Sequence, residues 1–220
     1  METTTTEPAG GFQLRAAGLG KQFYNRWLFR QISLQLRSGE RLAIIGRNGA
    51  GKSTLLRMLA GQMIPTEGRV SCTLQGSPVP AARLQEHVSW AAPYVDLYPD
   101  LTLAEHIQLH FRFRNCLLDD PASLIPLIGL EAHAGKPLRF YSSGMYQRAR
   151  VGLALATRAD LLLLDEPTSN LDEATAEQMF RLIERFSEGR ILILASNLHR
   201  EYSAIPQRIY LGDGASGGNW

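Results

Sequence analysis

Nine residues, Gly46-Arg47-Asn48-Gly49-Ala50-Gly51-Lys52-Ser53-Thr54, limit what this chain can fold into more than any other stretch. They follow an apolar run, Leu42-Ala43-Ile44-Ile45, and lead into Leu55-Leu56-Arg57-Met58-Leu59-Ala60. The order is buried strand, glycine turn, helix, with the pattern G-x-x-x-x-G-K-S lying on the turn. Glycines let the backbone curl so that successive N–H groups face an anion. A helix that starts there adds the positive end of its dipole. Lys52 has the reach for the β- and γ-phosphates of a nucleotide, and the Ser53 hydroxyl can take a place on Mg²⁺. The stretch therefore predicts a nucleoside triphosphate site.

Composition narrows the class. At 220 residues the chain is one domain, or one domain with a subdomain, and can bury a sizeable core. A net charge of +2 gives no basic field of the kind nucleic-acid binding needs, so no nucleic-acid partner is expected. Cys72 and Cys116 match no metal or redox spacing and read as reduced, partly buried thiols. The first residues, Met1-Glu2-Thr3-Thr4-Thr5-Thr6-Glu7, lack the basic and apolar regions of a signal peptide. No window approaches the run of about 18 apolar residues that spans a bilayer. A cytoplasmic protein is expected.

Residues 1–11 are Thr/Pro/Gly-rich and predict a disordered tail. Phe12 to Leu36 alternates loosely between apolar and polar, which predicts half-exposed antiparallel strands. This sheet holds two aromatics, Phe23 and Tyr24, which could simply be core. Beyond the first helix come a turn at Pro65-Thr66-Glu67-Gly68 and a strand at Arg69–Leu74. A short strand, His87–Ala92, ends at Pro93. Thr102, with Glu105 three residues later, predicts the capped start of a helix to about Phe113. Residues 119–140 add one short helix, so residues 95–145 read as a helical subdomain inserted in a sheet-based core.

The second half repeats the strand–helix rhythm. Tyr141-Ser142-Ser143-Gly144-Met145-Tyr146-Gln147-Arg148 precedes an amphipathic helix, Ala149 to Thr157. Leu161-Leu162-Leu163-Leu164 predicts a central parallel strand covered on both faces. Asp165 and Glu166 at its end are poor packing residues, because buried acids are costly unless paired or on a metal. Ser169-Asn170-Leu171-Asp172 leads into a helix, Glu173 to Ser187. A last core strand, Arg190–Ala195, ends at Ser196-Asn197, and Arg208–Leu211 forms a further β element. Residues 212–220 are Gly/Ser-rich and predict a flexible tail. The fold expected is α/β: a P-loop NTPase core with a mostly parallel central sheet, an N-terminal antiparallel β-subdomain and an inserted α-helical subdomain, all within 12–211.

Taken together, residues 46–54, 141–148, 161–167 and 169–172 resemble the ATP-binding subunit of an ABC transporter in order and spacing. The resemblance covers nearly everything from Leu14 to Leu211. It implies ATP and Mg²⁺ as ligands, held by Gly46, Arg47, Asn48, Gly49, Ala50, Gly51, Lys52, Ser53 and Thr54. It makes Ser142, Ser143 and Gly144 the signature loop, which in such proteins meets the γ-phosphate held by an opposite subunit. Asp165 takes the Mg²⁺-side place with Ser53, and Glu166 the place of the group that polarises the attacking water. Asp172 falls in the loop that crosses the dimer seam. Phe23 stands where an aromatic stacks on adenine, with Tyr24 as runner-up.

Three departures accompany the match. The position of the family's glutamine falls at Pro93, which has no amide to offer. The usual histidine after the last core strand is Asn197, which can donate to the γ-phosphate but carries no positive charge. His199, two positions on, reads as a surface helix residue. The signature is Ser-Ser-Gly-Met, without a final amide. The expectation is an ATP-hydrolysing motor, a homodimer or heterodimer of ATPase subunits, coupled to a separate transmembrane permease at the inner face of the membrane. The docking surface expected is the helical subdomain with exposed Tyr94 and Leu97-Tyr98-Pro99. The alternative is an ATP-gated regulatory dimer with slow or no hydrolysis. An ABC-type protein acting on ribosomes or DNA fits less well, lacking tandem ATPase domains. A small-molecule kinase would leave residues 141–148 and 169–172 without a purpose.

Overall fold

In the computed structural model, which describes residues 11–212, the loose alternation after Gly11 becomes two strands of a four-stranded antiparallel sheet. Its strands are β1 (Phe12–Phe23), β2 (Arg26–Arg37), β4 (Glu67–Leu74) and β5 (Ser77–Pro78), in the order β2-β1-β4-β5. The expected tails, apart from Gly11 and Gly212, lie outside the described residues. The second sheet has five strands, in the order β6-β7-β8-β3-β9. These are β3 (Arg41–Gly46), β6 (Val88–Ala91), β7 (Leu161–Asp165), β8 (Ile191–Ser196) and β9 (Gln207–Leu211). Every pairing in it is parallel.

The leucine run shows why this sheet must be central. Leu161, Leu162, Leu163 and Leu164 are all fully buried. Because side chains alternate along a strand, the run divides between two cores. Leu161 and Leu163 pack with Ile44, Leu55 and Leu56 beneath the antiparallel sheet. Leu162 and Leu164 pack with Val151, Leu155, Met179 and Ile183 of two helices, α4 (Ser143–Ala156) and α5 (Glu173–Phe186). Each leucine contributes about 2 kcal/mol by leaving water. A polar residue anywhere in the run would lose that on one face or the other.

A third core lies under the helical segment. It joins Leu103 and Ile107 of α2 (Leu103–Phe113) to Leu124 of α3 (Leu124–Leu127) and to Ala149 and Leu153 of α4. The predicted capping box is present: Thr102 Oγ1 accepts from the Glu105 amide at 3.2 Å, and Glu105 Oε2 accepts from the Thr102 amide at 2.8 Å. The helix expected within 119–140 is only the four residues of α3, flanked by 3₁₀ turns at 121–123, 131–133 and 138–140. Pro126 and Gly129 explain its shortness.

One helix start moves. The helix expected from Ala149 begins at Ser143, because Ser142 caps it by accepting from the Met145 amide at 3.3 Å. The residues of the expected signature loop thus form the cap and first turn of α4. One more helical turn, α6 (His199–Tyr202), which opens at His199, follows β8. Cys72 is buried, which pushes its thiol up to about 12, and Cys116 is partly buried. Both are free, as expected.

Candidate functional site

Three neighbouring strands end at one edge of the parallel sheet. The phosphate loop follows β3, Asp165 closes β7 and Asn197 follows β8. The register levels them: Asp165 pairs with Ala195, and Ala195 with Ile44. Such carboxyl-end edges are where open parallel sheets place their ligands.

The loop between β3 and α1 (Lys52–Leu59) takes its shape from glycine. Gly51 has φ +98° and caps α1, and a Cβ there would lie 2.7 Å from Leu28 Cδ2. A Cβ on Gly46 would lie 2.5 Å from the Leu211 carbonyl oxygen. Lys52 is 5% exposed and curls back over the loop. Its Nζ donates to the Gly46 carbonyl at 2.9 Å and to that of Arg47 at 3.4 Å, and lies 3.6 Å from Glu166 Oε1. The Ser53 hydroxyl donates to Asp165 Oδ2 at 2.5 Å.

Asp165 is 2% exposed. Burial pushes its carboxyl up to about 6, helped by the charge of Glu166 and opposed by the Ser53 hydrogen bond, Lys52 and Arg57. A buried carboxylate beside a hydroxyl suits a hard divalent cation. The pair Ser53 and Asp165 therefore fits Mg²⁺. Glu166 adopts φ +50°, unusual for a residue with a Cβ, and its side chain remains partly open to solvent.

Phe23, Lys52, Ser53, Pro93, Asp165 and Glu166 border one open cleft of about 420 Å³. Phe23 and Tyr24 are both exposed, not core, and border a neighbouring hollow with Gly49 and Ala50. Asn197 donates through Nδ2 to Asn48 Oδ1 at 3.1 Å, so it stands at the rim of the phosphate loop. His199 is exposed and its ring meets Tyr202 instead.

Ser142, Ser143 and Gly144 are not among the residues bordering the cleft. Ser142 and Ser143 are exposed, and a Cβ on Gly144 would lie 2.8 Å from the Asn170 carbonyl oxygen. Asp172 caps α5, accepting from the Thr175 amide at 2.9 Å. That bond holds its carboxyl below the usual range.

One expectation needs correction. Tyr94 is not an exposed docking residue. Its ring lies 3.7 Å from the Arg57 guanidinium and edge-on to Trp90 at 5.2 Å, and its hydroxyl is buried. Burial pushes that phenol up to about 12. Leu97 is buried as well, which leaves Tyr98 as the exposed aromatic of the stretch.

Sequence reading missed three residues around Glu166. Gln147 lies within the signature stretch, whose pattern gives it no task of its own. Its Nε2 donates to the carbonyls of Glu166 and Pro167 at 3.0 and 3.1 Å. Buried Glu201 accepts from the Thr168 amide at 2.8 Å and from its hydroxyl. Nothing in the local sequence marks Thr168 or Glu201.

Strand, phosphate loop, capped lysine helix and paired carboxylates at a parallel-sheet edge define a P-loop nucleotide-binding protein. A family profile described as ABC transporter matches residues 29–169. The chain belongs to that family and is an ABC nucleotide-binding domain. It is 35% identical over 204 residues to the arabinose import ATP-binding protein AraG of Pectobacterium atrosepticum, covering 87% of this chain and 40% of that one. The chain thus spans about two fifths of that relative. Among solved structures, the cassette MJ0796, a dimer in a post-hydrolysis state with ADP and Pi, superposes with a TM-score of 0.78 at 22% identity. That match covers 91% of this chain and 95% of that one. A bacterial Atm1-family ABC exporter with ATP bound gives 0.78 at 18% identity, over 96% of this chain and 39% of that one. At such identities these two likenesses speak for the fold. Among the described residues no helix is long and apolar enough to cross a membrane.

Proposed function

We propose that this chain is an ATP-hydrolysing motor subunit that dimerises around ATP and Mg²⁺ and drives a separate transmembrane permease from the inner face of the membrane. The observation that carries this reading is the convergence of Lys52, Ser53, Asp165 and Glu166 on one cleft. Lys52 leaves the Gly46 and Arg47 carbonyls to meet phosphate oxygens, while the loop amides and the start of α1 hold the remaining charge. Ser53 and Asp165 hold Mg²⁺, which when bound neutralises developing phosphate charge. Glu166 orients water and takes its proton. Phe23 stacks on the base, with Tyr24 beside it.

Exposed Ser142 and Ser143, away from the cleft, suit a task in trans: with Gly144 they complete the site of a second copy, identical or related. Closure of the dimer on ATP and reopening after hydrolysis is a change of state driven by differential affinity. Residues 95–145 act as a helical subdomain whose surface, with Tyr98, receives the permease.

A second reading has a specific basis. Pro93 borders the cleft where the family has a glutamine, and Asn197 stands in place of a histidine. Both changes favour slow turnover, and in the extreme an ATP-gated regulatory dimer. The test is ATP turnover and size-exclusion mass of the wild type and of Glu166→Gln with ATP and Mg²⁺. A motor gives measurable wild-type turnover and an ATP-trapped dimer in the variant. Equal turnover in both proteins removes the motor reading.

A further inference from the structure

We infer that Gln147 is a positioning residue for Glu166, and that Gln147 and Glu201 together clamp the segment Glu166–Thr168 between α4 and α6. The inference rests on the ATPase reading, because it concerns how the water-activating carboxylate is held.

The segment has an unusual need for support. Glu166 sits at φ +50°, a left-handed conformation that costs about 1 kcal/mol for a residue with a side chain. Pro167, next in line, has no amide hydrogen to donate. Both residues lie beyond the end of β7; the Glu166 amide still donates to the Ala195 carbonyl at 2.8 Å and its carbonyl accepts from the Ser169 amide at 3.1 Å. One side-chain amide nitrogen meets the carbonyls of both residues. Gln147 Nε2 has two hydrogens, and it lies 3.0 Å from the Glu166 carbonyl oxygen and 3.1 Å from that of Pro167. Gln147 is 3% exposed, and its own oxygen accepts from Arg150 Nη1 at 3.3 Å, one turn along α4. This contact also fixes the orientation of the amide.

The opposite side of the segment is held as firmly. Thr168 is fully buried, and both its amide and its hydroxyl donate to the same oxygen of Glu201. Glu201 is 4% exposed, so these bonds form out of competition with water. The carbonyls of Glu166 and Pro167 are thus held by α4, and the amide and hydroxyl of Thr168 by α6. The two anchors belong to elements that sense nucleotide from different directions. Ser142–Gly144, the residues of the expected signature loop, form the cap and first turn of α4. α6 begins two residues after Asn197, which reaches Asn48 of the phosphate loop. A shift of α4 relative to α6 therefore moves Glu166, whose Oε1 lies 3.6 Å from Lys52 Nζ.

The clamp acts on the placement of the carboxylate and leaves the phosphate loop untouched. It should consequently alter turnover without altering nucleotide affinity. The test compares the full chain with Gln147→Met, which keeps volume and loses the donor, and Gln147→Glu, which keeps the Arg150 partner and cannot donate when ionised. Three experiments are run: steady-state kinetics for kcat and KM with ATP, binding of a fluorescent ATP analogue, and amide hydrogen exchange of residues 166–171. Misplacement of a reacting group by an ångström costs up to about 100-fold, so kcat is expected to fall about 10- to 100-fold. KM and analogue affinity stay within about threefold of wild type. Exchange at 166–171 speeds up about 10-fold or more, through local opening.

A folded variant with wild-type kcat, or with unchanged exchange at 166–171, overturns the proposal. So does a parallel loss of kcat and analogue affinity, which signals general structural damage. Either variant, if folded, is sufficient. Should the wild type itself fail to turn over ATP, the ATPase reading falls, and the exchange and affinity measurements still decide whether Gln147 holds the segment.

Discussion

The Ser53 hydroxyl donates to Asp165 Oδ2 at 2.5 Å, tying the first turn of α1 to the end of β7 across 112 residues of sequence. The bond places a hydroxyl and a buried carboxylate where one cation can meet both. It does not relieve the carboxylate of its burial, which keeps its titration near 6.

Asp165→Asn is accordingly expected to make the nucleotide-free protein more stable. Asp165 is raised from 3.8 to about 6 in the fold, chiefly by burial, so the folded state favours the protonated form. That contribution is complete below 3.8 and lost as pH rises through about 6. At pH 7.5 the ionised group costs about 1–3 kcal/mol, which the amide removes. Urea unfolding at pH 7.5 should show this gain, together with loss of Mg²⁺-dependent stabilisation by ATP. Equal or lower stability of the variant would contradict the assignment.

Restoring the family residues at the altered edges should speed the reaction. Asn197→His supplies an imidazole beside Asn48, and Pro93→Gln supplies an amide at the cleft. General acid–base and positioning groups each contribute factors of about 10 to 10⁴, so each single change should raise kcat by about threefold or more. Steady-state ATPase assays check it. No gain from either would show that these positions do not limit turnover.

Gly144→Ala should impair the second-copy site while sparing the first. The added Cβ would lie 2.8 Å from the Asn170 carbonyl oxygen, a backbone atom that cannot swing aside. Binding of a fluorescent ATP analogue to the monomer is expected to stay within about twofold, while kcat falls about 10-fold through misplaced signature residues. Equal loss of both would place Gly144 in the fold and not in the dimer site.

Acid should loosen the helical segment through His110. Its ring nitrogen Nε2 lies 2.8 Å from Thr157 Oγ1, whose own proton goes to the Leu153 carbonyl, so neutral His110 is the donor. Burial, then Arg114 and His106, hold it down to about 4 from an ordinary 6.5. A depressed folded value means stability complete above 6.5 and lost as pH falls towards 4. The loss should reach about 2 kcal/mol by pH 4, and His110→Gln should flatten it in urea titrations followed by circular dichroism.

The sequence by itself determined the parts of the site whose chemistry is local. The phosphate loop is spelled in consecutive residues because its work is done by adjacent backbone amides. The leucine run announces a strand covered on both faces, and Thr102 with Glu105 announces a helix start, because both signals lie within one element. Only the tertiary structure decided the rest. It put Phe23 and Tyr24 on the surface and sank Tyr94 against Arg57, where loose alternation and a proline-rich loop could not fix burial. It started α4 at Ser143, since the Ser142 cap outweighs the poor helix propensity of Ser143 and Gly144. Above all it joined Gln147, Glu166, Thr168 and Glu201. Their bonds cross between elements, and no periodicity or spacing along one strand or helix records a partner that folding brings in from another.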